Sequence, residues 1–165
     1  MAPHVKNEKG RSSDLIAKNR RAQFDYDIEE RYEAGIVLVG SEVKSLLNGK
    51  VDLVDAYASV AAGEMWLKQL NIGPFEQAKA FPHEPKRPRK LLLHASEIAQ
   101  IDKALSRQGY TLIPLQLYFK GGRVKVELGL GRGKNTVDKR ATIARKTADR
   151  EARVEMVRHS KRGRE

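Results

Sequence analysis

Charge and hydrophobicity are divided along this chain, and that division limits what it can fold into. Acids and bases cancel over residues 24–130, and nearly all the Val, Ile, Leu, Phe, Tyr and Trp lie there. Only that stretch can offset the conformational entropy of folding. The net charge of +11 sits in the ends: residues 1–23 hold six bases against two acids, and residues 131–165 hold twelve against five. With 165 residues there is one core and some length left for extensions, not two independent domains. The expected layout is a structureless basic arm over 1–18, a neutral folded body over 19–130, and a basic tail over 131–165. The tail takes shape only against a partner.

A chain with a pI near 9.9 seeks polyanions, and nucleic acid is the first of these. Basic ends that merely solubilise are the competing reading, and the segregation of charge tells against it. The absence of Cys removes disulfides, thiolate metal sites and cysteine nucleophiles, and fits a reducing, cytoplasmic address. No apolar run approaches membrane-spanning length, and Met1 to Arg21 offers no stretch for a signal peptide.

Catalytic patterns fail on inspection. Gly129, Gly131 and Gly133 invite a phosphate-loop reading, but Asn135 follows Lys134 where a Walker motif needs Ser or Thr. Flexible glycines ending a strand are the simpler explanation. His4, His83, His94 and His159 lack metal or nucleophile spacing, and the adjacent Glu29 and Glu30 point to opposite faces of a strand. Trp66 and Tyr118 could stack on bases, yet each lies on an alternating strand and reads as core. The expectation is a binding protein rather than an enzyme, with no cofactor, metal or small-molecule substrate.

In the body, Phe24, Tyr26 and Ile28 alternate with acids and lead to Ile36–Val39, which predicts a strand bulged near Glu33-Ala34-Gly35. Ser41 can cap a two-turn helix with Val43, Leu46 and Leu47 on one side, ended by Gly49. Two hairpins follow, one around residues 61–64 and one joining 111–119 to 123–130 through Lys120-Gly121-Gly122. Between them Ser96 opens a helix carrying Ile98, Ile101 and Leu105, with Gly109 as its stop. Phe81 to Lys90, broken by three prolines and carrying four cations, predicts a basic rim loop. Short strands with two or three short helices favour a mainly β, OB-like closed barrel, because closure hides strand edges.

Several segments together resemble one family: Asn19-Arg20-Arg21-Ala22, Tyr32 to Ile36, Gly40 to Leu46, Arg89 to His94, Gly109 to Leu115, and Gly133-Lys134 with Asp138-Lys139-Arg140. Their order and spacing are similar to those of small protein B, the SsrA-binding proteins of bacterial ribosome rescue. The resemblance implies an OB-like barrel that binds the tRNA-like domain of transfer-messenger RNA and brings it to ribosomes stalled on truncated messages. A general OB-fold translation factor or RNA chaperone without that specificity is the alternative.

The resemblance places Lys18, Asn19, Arg20, Arg21, Glu33, Lys44, Arg89, Lys90, Leu92 and His94 on or behind the surface that grips this RNA. Arg20, Arg21, Arg89 and Lys90 can meet phosphates. Glu33 could accept from a base, or it could brace the bend, and the sequence leaves these open. Leu92, in a triple-Leu run, reads as core unless that edge faces RNA.

The resemblance also implies a tail that is unstructured alone and folds as a helix in the empty message channel of the small ribosomal subunit, at the decoding centre. Ala141 to Arg158 contains no Gly or Pro, is rich in helix formers, and has too few apolar residues to pack on the body. Lys139, Arg140, Arg145, Lys146, Arg150 and Arg153 would then line ribosomal RNA, with Gly133 and Lys134 as a flexible lead-in. Before Asp138 the family carries an aromatic residue or His, and this chain has Val137, which removes the stacking group. A monomer is expected.

Overall fold

The structure, a computed structural model, describes residues 14–77, 82–134 and 136–162, leaving aside the side chains of 136–138 and 159–162. Residues 1–13 and 78–81 lie outside the described residues.

The elements run β1 (Asp14–Lys18), α1 (Ala22–Asp25), β2 (Tyr26–Ile36), α2 (Gly40–Leu47), β3 (Val51–Asp52), β4 (Tyr57–Ala61), β5 (Glu64–Lys68) and β6 (Asn71–Ile72). They continue with β7 (Arg89–Leu92), α3 (Ala95–Leu105), β8 (Tyr110–Lys120), β9 (Arg123–Gly133) and α4 (Thr136–Arg162). Six strands pair in the order β8-β4-β5-β7-β2-β9, and β9 pairs again with β8, closing the ring. Every pairing is antiparallel. The barrel that the sequence predicts is thus present, with β1 added along the outer edge of β8 and the β3–β6 ribbon beside it.

The two hairpins form where expected. Ala62 and Gly63 turn the first with φ of 52° and 76°; Gly121 and Gly122 turn the second with φ of 60° and 75°. Two successive positive φ values match the right-handed twist of the flanking strands. Inside the ring pack Met65, Leu67, Leu91, Leu112, Leu117, Val126 and Leu128, capped by Leu46 of α2 and Ile101 of α3. Each large apolar side chain so buried contributes about 1.5–3 kcal/mol. Strand β8 is buried on both faces. Ile113 and Leu115 form a second small cluster outside the ring, covered by Ala22 of α1 and by Tyr26 and Ile28. Pro114 sits in this central strand because the register to β9 shifts between Pro114 and Gln116, where no ladder donor is needed.

Several expectations change. Phe24 lies in α1, not in a strand, and the β2 bulge falls between Ile28 and Glu30, six residues before Gly35. Gly131 explains that position: a Cβ there would stand 2.1 Å from the Asp27 carbonyl oxygen, so the bulged β2 backbone needs a bare neighbour. At Gly129 a Cβ would press Leu115 at 2.9 Å. These glycines permit close packing inside β9 and are not flexible ends. Strand β9 runs on to Gly133, past the expected boundary at 131, and β1 brings residues 14–18 into the barrel from the supposed arm. Ser41 does not cap α2: Val39 stands at the N-cap, and its N–H donates to Glu42 Oε1 at 3.0 Å. Leu47 is 66 % exposed while Leu46 is buried, so the apolar side of α2 is narrower than its sequence suggests. His94, not Ser96, stands at the N-cap of α3.

Residues 136–162, in the tail expected to be helical on the ribosome, form the helix α4. Strong helix formers uninterrupted by Gly or Pro supply the propensity, and contacts at its root with α1 supply the anchor.

Candidate RNA-binding surface

The nominated body residues fall into two groups along the β8–β9 ribbon. The first surrounds the turn between β1 and α1. Asn19, 6 % exposed, holds that turn: Nδ2 donates to the Leu53 and Pro114 carbonyls at 3.3 and 3.2 Å, and Oδ1 accepts from the Ala22 N–H at 3.2 Å. With its polar atoms spent inside, Asn19 is a positioning residue. Its neighbours Lys18, Arg20 and Arg21 point outward and are exposed. Arg21 stays within 3.7 Å of Asp25 on α1. An open cleft of about 510 Å³ lies alongside, bordered by Arg21, Asp25, Tyr26, Asp55 and Tyr57.

The second group lies toward the β8–β9 turn. The Glu33 carboxylate accepts the Tyr118 hydroxyl and Lys120 Nζ, the latter at 3.2 Å to both oxygens. Partial burial raises this carboxyl, but donation from Tyr118 and Lys120 outweighs it and holds the group below its ordinary range. Glu33 therefore stays anionic and is already occupied by two protein donors. Leu92 is 54 % exposed, contrary to the core reading, since it ends β7 opposite Gly35, which has no side chain to cover it. It borders an apolar groove of about 280 Å³ with Ile36, Leu38, Val43 and Phe119, rimmed by Arg123 and Lys125.

Arg89 belongs to neither group. Its guanidinium is fully buried; Nε donates to Glu42, Nη1 to the Leu70 and Arg87 carbonyls at 2.7 and 3.2 Å, and Nη2 to those of Pro85 and Glu84 at 3.1 and 3.5 Å. All five N–H donors of an arginine are thereby committed, and none remains for a phosphate. The loop expected to be a basic rim is folded inward around Glu42, which also accepts from Arg87, and His83 is buried with Nδ1 2.9 Å from Ser41 Oγ. Lys90 is partly exposed and pairs with Glu64 at 2.8 Å, His94 is exposed, and Lys44 lies 5.5 Å over the Phe75 ring.

On α4, Arg140, Arg145, Lys146, Arg150 and Arg153 are exposed, and so are Ile143, Val154 and Met156. Lys139 is partly covered by α1, and Lys134 is drawn onto the body. The expectations for the side chains of Val137 and Asp138 lie outside the described residues. Sequence reasoning missed Lys120, Arg123 and Lys125, which the hairpin register brings beside Glu33 and Leu92, and Asp25, which meets Arg21 and Lys139. The alternation within 116–126 carried the first signal; nothing in the sequence carried the second.

Among the described residues no group of three or more His, Cys, Asp or Glu is placed to hold a metal ion, and no helix is long and apolar enough to cross a membrane. A closed barrel bearing outward arginines at one turn and a long cationic helix defines a small protein built to hold polyanions. The family profile described as SmpB protein matches residues 16–158. The chain is 56 % identical over 137 residues to an SsrA-binding protein of Roseiflexus castenholzii, spanning 82 % of this chain and 87 % of that one. It is 50 % identical over 151 residues to an SsrA-binding protein of Thermobifida fusca, at 92 % and 94 % coverage. A solved structure described as "tmRNA-SmpB: a journey to the center of the bacterial ribosome" is similar at a TM-score of 0.63 and 47 % identity, covering 73 % of this chain and 85 % of that one. This chain belongs to the SmpB family.

Proposed function

We propose that this protein is an RNA-binding adaptor that holds the tRNA-like domain of transfer-messenger RNA and delivers it to stalled ribosomes for trans-translation. The observation that carries this is the reach of the family match, which takes in most of β1, the whole barrel and most of α4 together. The barrel grips the RNA; the helix occupies the vacant message channel of the small subunit and stands in for a codon–anticodon pair. It acts in the cytoplasm as a monomer, without catalysis or a cofactor of its own.

On the barrel, Lys18, Arg20 and Arg21 meet phosphates, while Leu92 with Arg123 and Lys125 faces the RNA beyond them. Asn19, Glu33 and Arg89 serve this surface by shaping it. On the helix, Arg140, Arg145, Lys146, Arg150 and Arg153 lie along ribosomal-RNA phosphates.

Ending the chain after Lys134 tests this division while leaving every β9 pairing intact. The shortened protein should bind the tRNA-like domain as the full chain does and fail to support tagging of nascent chains on stalled ribosomes. Tagging at the full rate would refute the role given to the helix.

A further inference from the structure

Strand β5 alternates sharply: Met65 and Leu67 are fully buried inside the barrel, so Glu64, Trp66 and Lys68 point outward. Trp66, expected in the core, stands partly exposed on the outer wall instead. Register sets its neighbours. Trp66 faces Ser59 of β4 and Lys90 of β7, and Lys68 faces Tyr57 of β4, which is 40 % exposed. Side chains opposed on one face lie about 5 Å apart, and those two positions along a strand about 7 Å. Two aromatic rings and two ammonium groups therefore share one small patch, with exposed Leu92, two residues past Lys90, at its margin. Lys90 is held by Glu64 at 2.8 Å, whereas Lys68 makes no ion pair among the described residues. In the six-strand ring β5 stands three strands from β9 in either direction. Its outer wall faces away from Arg123 and Lys125, and a folded RNA resting on the β8–β9 ribbon leaves it uncovered.

We infer that the outer wall of β4, β5 and β7 is a second RNA site, which takes an unpaired strand: Trp66 and Tyr57 carry bases by stacking, and Lys68 and Lys90 meet the phosphates. Every base has a π face, so such a platform accepts strands with little regard to sequence. Stacking also sets it apart from a mere patch of lysines. A protein-docking face depletes lysine at its centre, and here a lysine stands directly across from each ring. The cations therefore point to a polyanion. The site goes beyond the proposed function and does not depend on which RNA the β8–β9 ribbon holds.

Trp66 is the chain's one Trp, so its emission reads this wall in the full protein without a label. Titration with an unstructured hexa-adenylate at low salt should quench it saturably. Tyr57→Ala and Lys68→Glu should each weaken that binding by about tenfold. Lys103→Glu, the same charge change at an exposed position of α3, should leave it unchanged. Circular dichroism melts of each variant establish that the barrel is folded. One equivalent of a tRNA-like-domain transcript, its own binding followed by the anisotropy of a terminal dye, should bind without displacing the hexamer. An emission unmoved by the hexamer would overturn the site and leave the wall to a protein partner. Equal losses in Lys103→Glu and Lys68→Glu would overturn it too, as would exclusion of the hexamer by the bound transcript, which would make the wall part of the first surface. If the hexamer arms succeed and the transcript does not bind, the proposed function fails while the site stands.

Discussion

Arg89 on β7 and Glu42 on α2, 47 residues apart in the chain, form an ion pair with both side chains fully buried. The pair is the pivot on which the loop before β7 turns inward, since Arg89 also gathers four carbonyls from residues 70–87. Removing one partner of a buried pair strands the other charge, at a cost of roughly 3–5 kcal/mol. Arg89→Ala should therefore lower stability by about that much, measured by urea denaturation. Among molecules that remain folded, its affinity for the tRNA-like domain should be unchanged. A stable Arg89→Ala protein with weakened RNA binding would return Arg89 to the RNA surface.

The same pair sets an acid limb. Burial raises the Glu42 carboxyl, but donation from Arg87, the Val39 N–H and Arg89 prevails and holds it below its ordinary value of 4.5. A carboxyl with a depressed folded pKa contributes stability above its unfolded pKa and loses it as pH falls through the folded one. The melting temperature should thus fall as the solution is acidified below 4.5, with Glu33 adding in the same direction. Glu42→Gln should start less stable and decline less steeply over that window. An equally steep acid decline in Glu42→Gln would place the titrating group elsewhere.

Asn19 and Arg20 should separate cleanly by experiment, although they are adjacent. Asn19→Ala takes the Asn19 acceptor from the Ala22 N–H and the Nδ2 donor from the Leu53 and Pro114 carbonyls, Leu53 keeping its bond from the Ala56 N–H, which costs about 1–3 kcal/mol. Arg20→Ala removes an exposed side chain and should change stability by no more than about 0.5 kcal/mol. In RNA titrations Arg20→Ala should weaken binding and reduce the salt slope by about one. Asn19→Ala, where folded, should weaken binding by misplacing Arg20 and Arg21. Equal salt slopes for Arg20→Ala and the unmodified protein would remove Arg20 from the phosphate contacts.

Two of the five tyrosines should titrate late in alkali. Partial burial, followed by the hydrogen bond to the Glu30 carboxylate, pushes Tyr32 up to about 12, and burial with the Glu33 bond pushes Tyr118 up as well. Phenolate absorbance should show a late step near 12 that is missing in Tyr32→Phe. If Tyr32→Phe leaves that late step in place, the hydroxyl of Tyr32 is not bound to Glu30.

What the sequence disclosed follows range. Gly121-Gly122, Gly49 and Gly109 all take positive φ, and the hairpin register and the helix stops were legible because a local backbone need selects the residue. The Lys120–Glu33–Tyr118 group and the Asn19 hub were legible only as residue names. Their partners lie 85 or more positions away for Glu33, and 34 and 95 away for Asn19. Arg89 was misread for the same reason: three nearby prolines announce a loop, but only α2 arriving with Glu42 decides that the loop closes over the guanidinium. The bulge was set too late because Gly35 was read as the breaker, whereas Gly35 stands beside Leu92, 3.3 Å from where its own Cβ would be.

The central claim, a neutral barrel shaped for one folded RNA with cationic ends that fasten it, is tested most directly by titrating the full chain with two RNAs of equal length. One is the tRNA-like domain of transfer-messenger RNA and the other an unstructured strand, each at 50 and 200 mM salt. Both affinities should fall, that of the tRNA-like domain by about a thousandfold if six or more phosphates are contacted, and the tRNA-like domain should bind more tightly at either salt. Equal affinity for the two RNAs at both salt concentrations would contradict it.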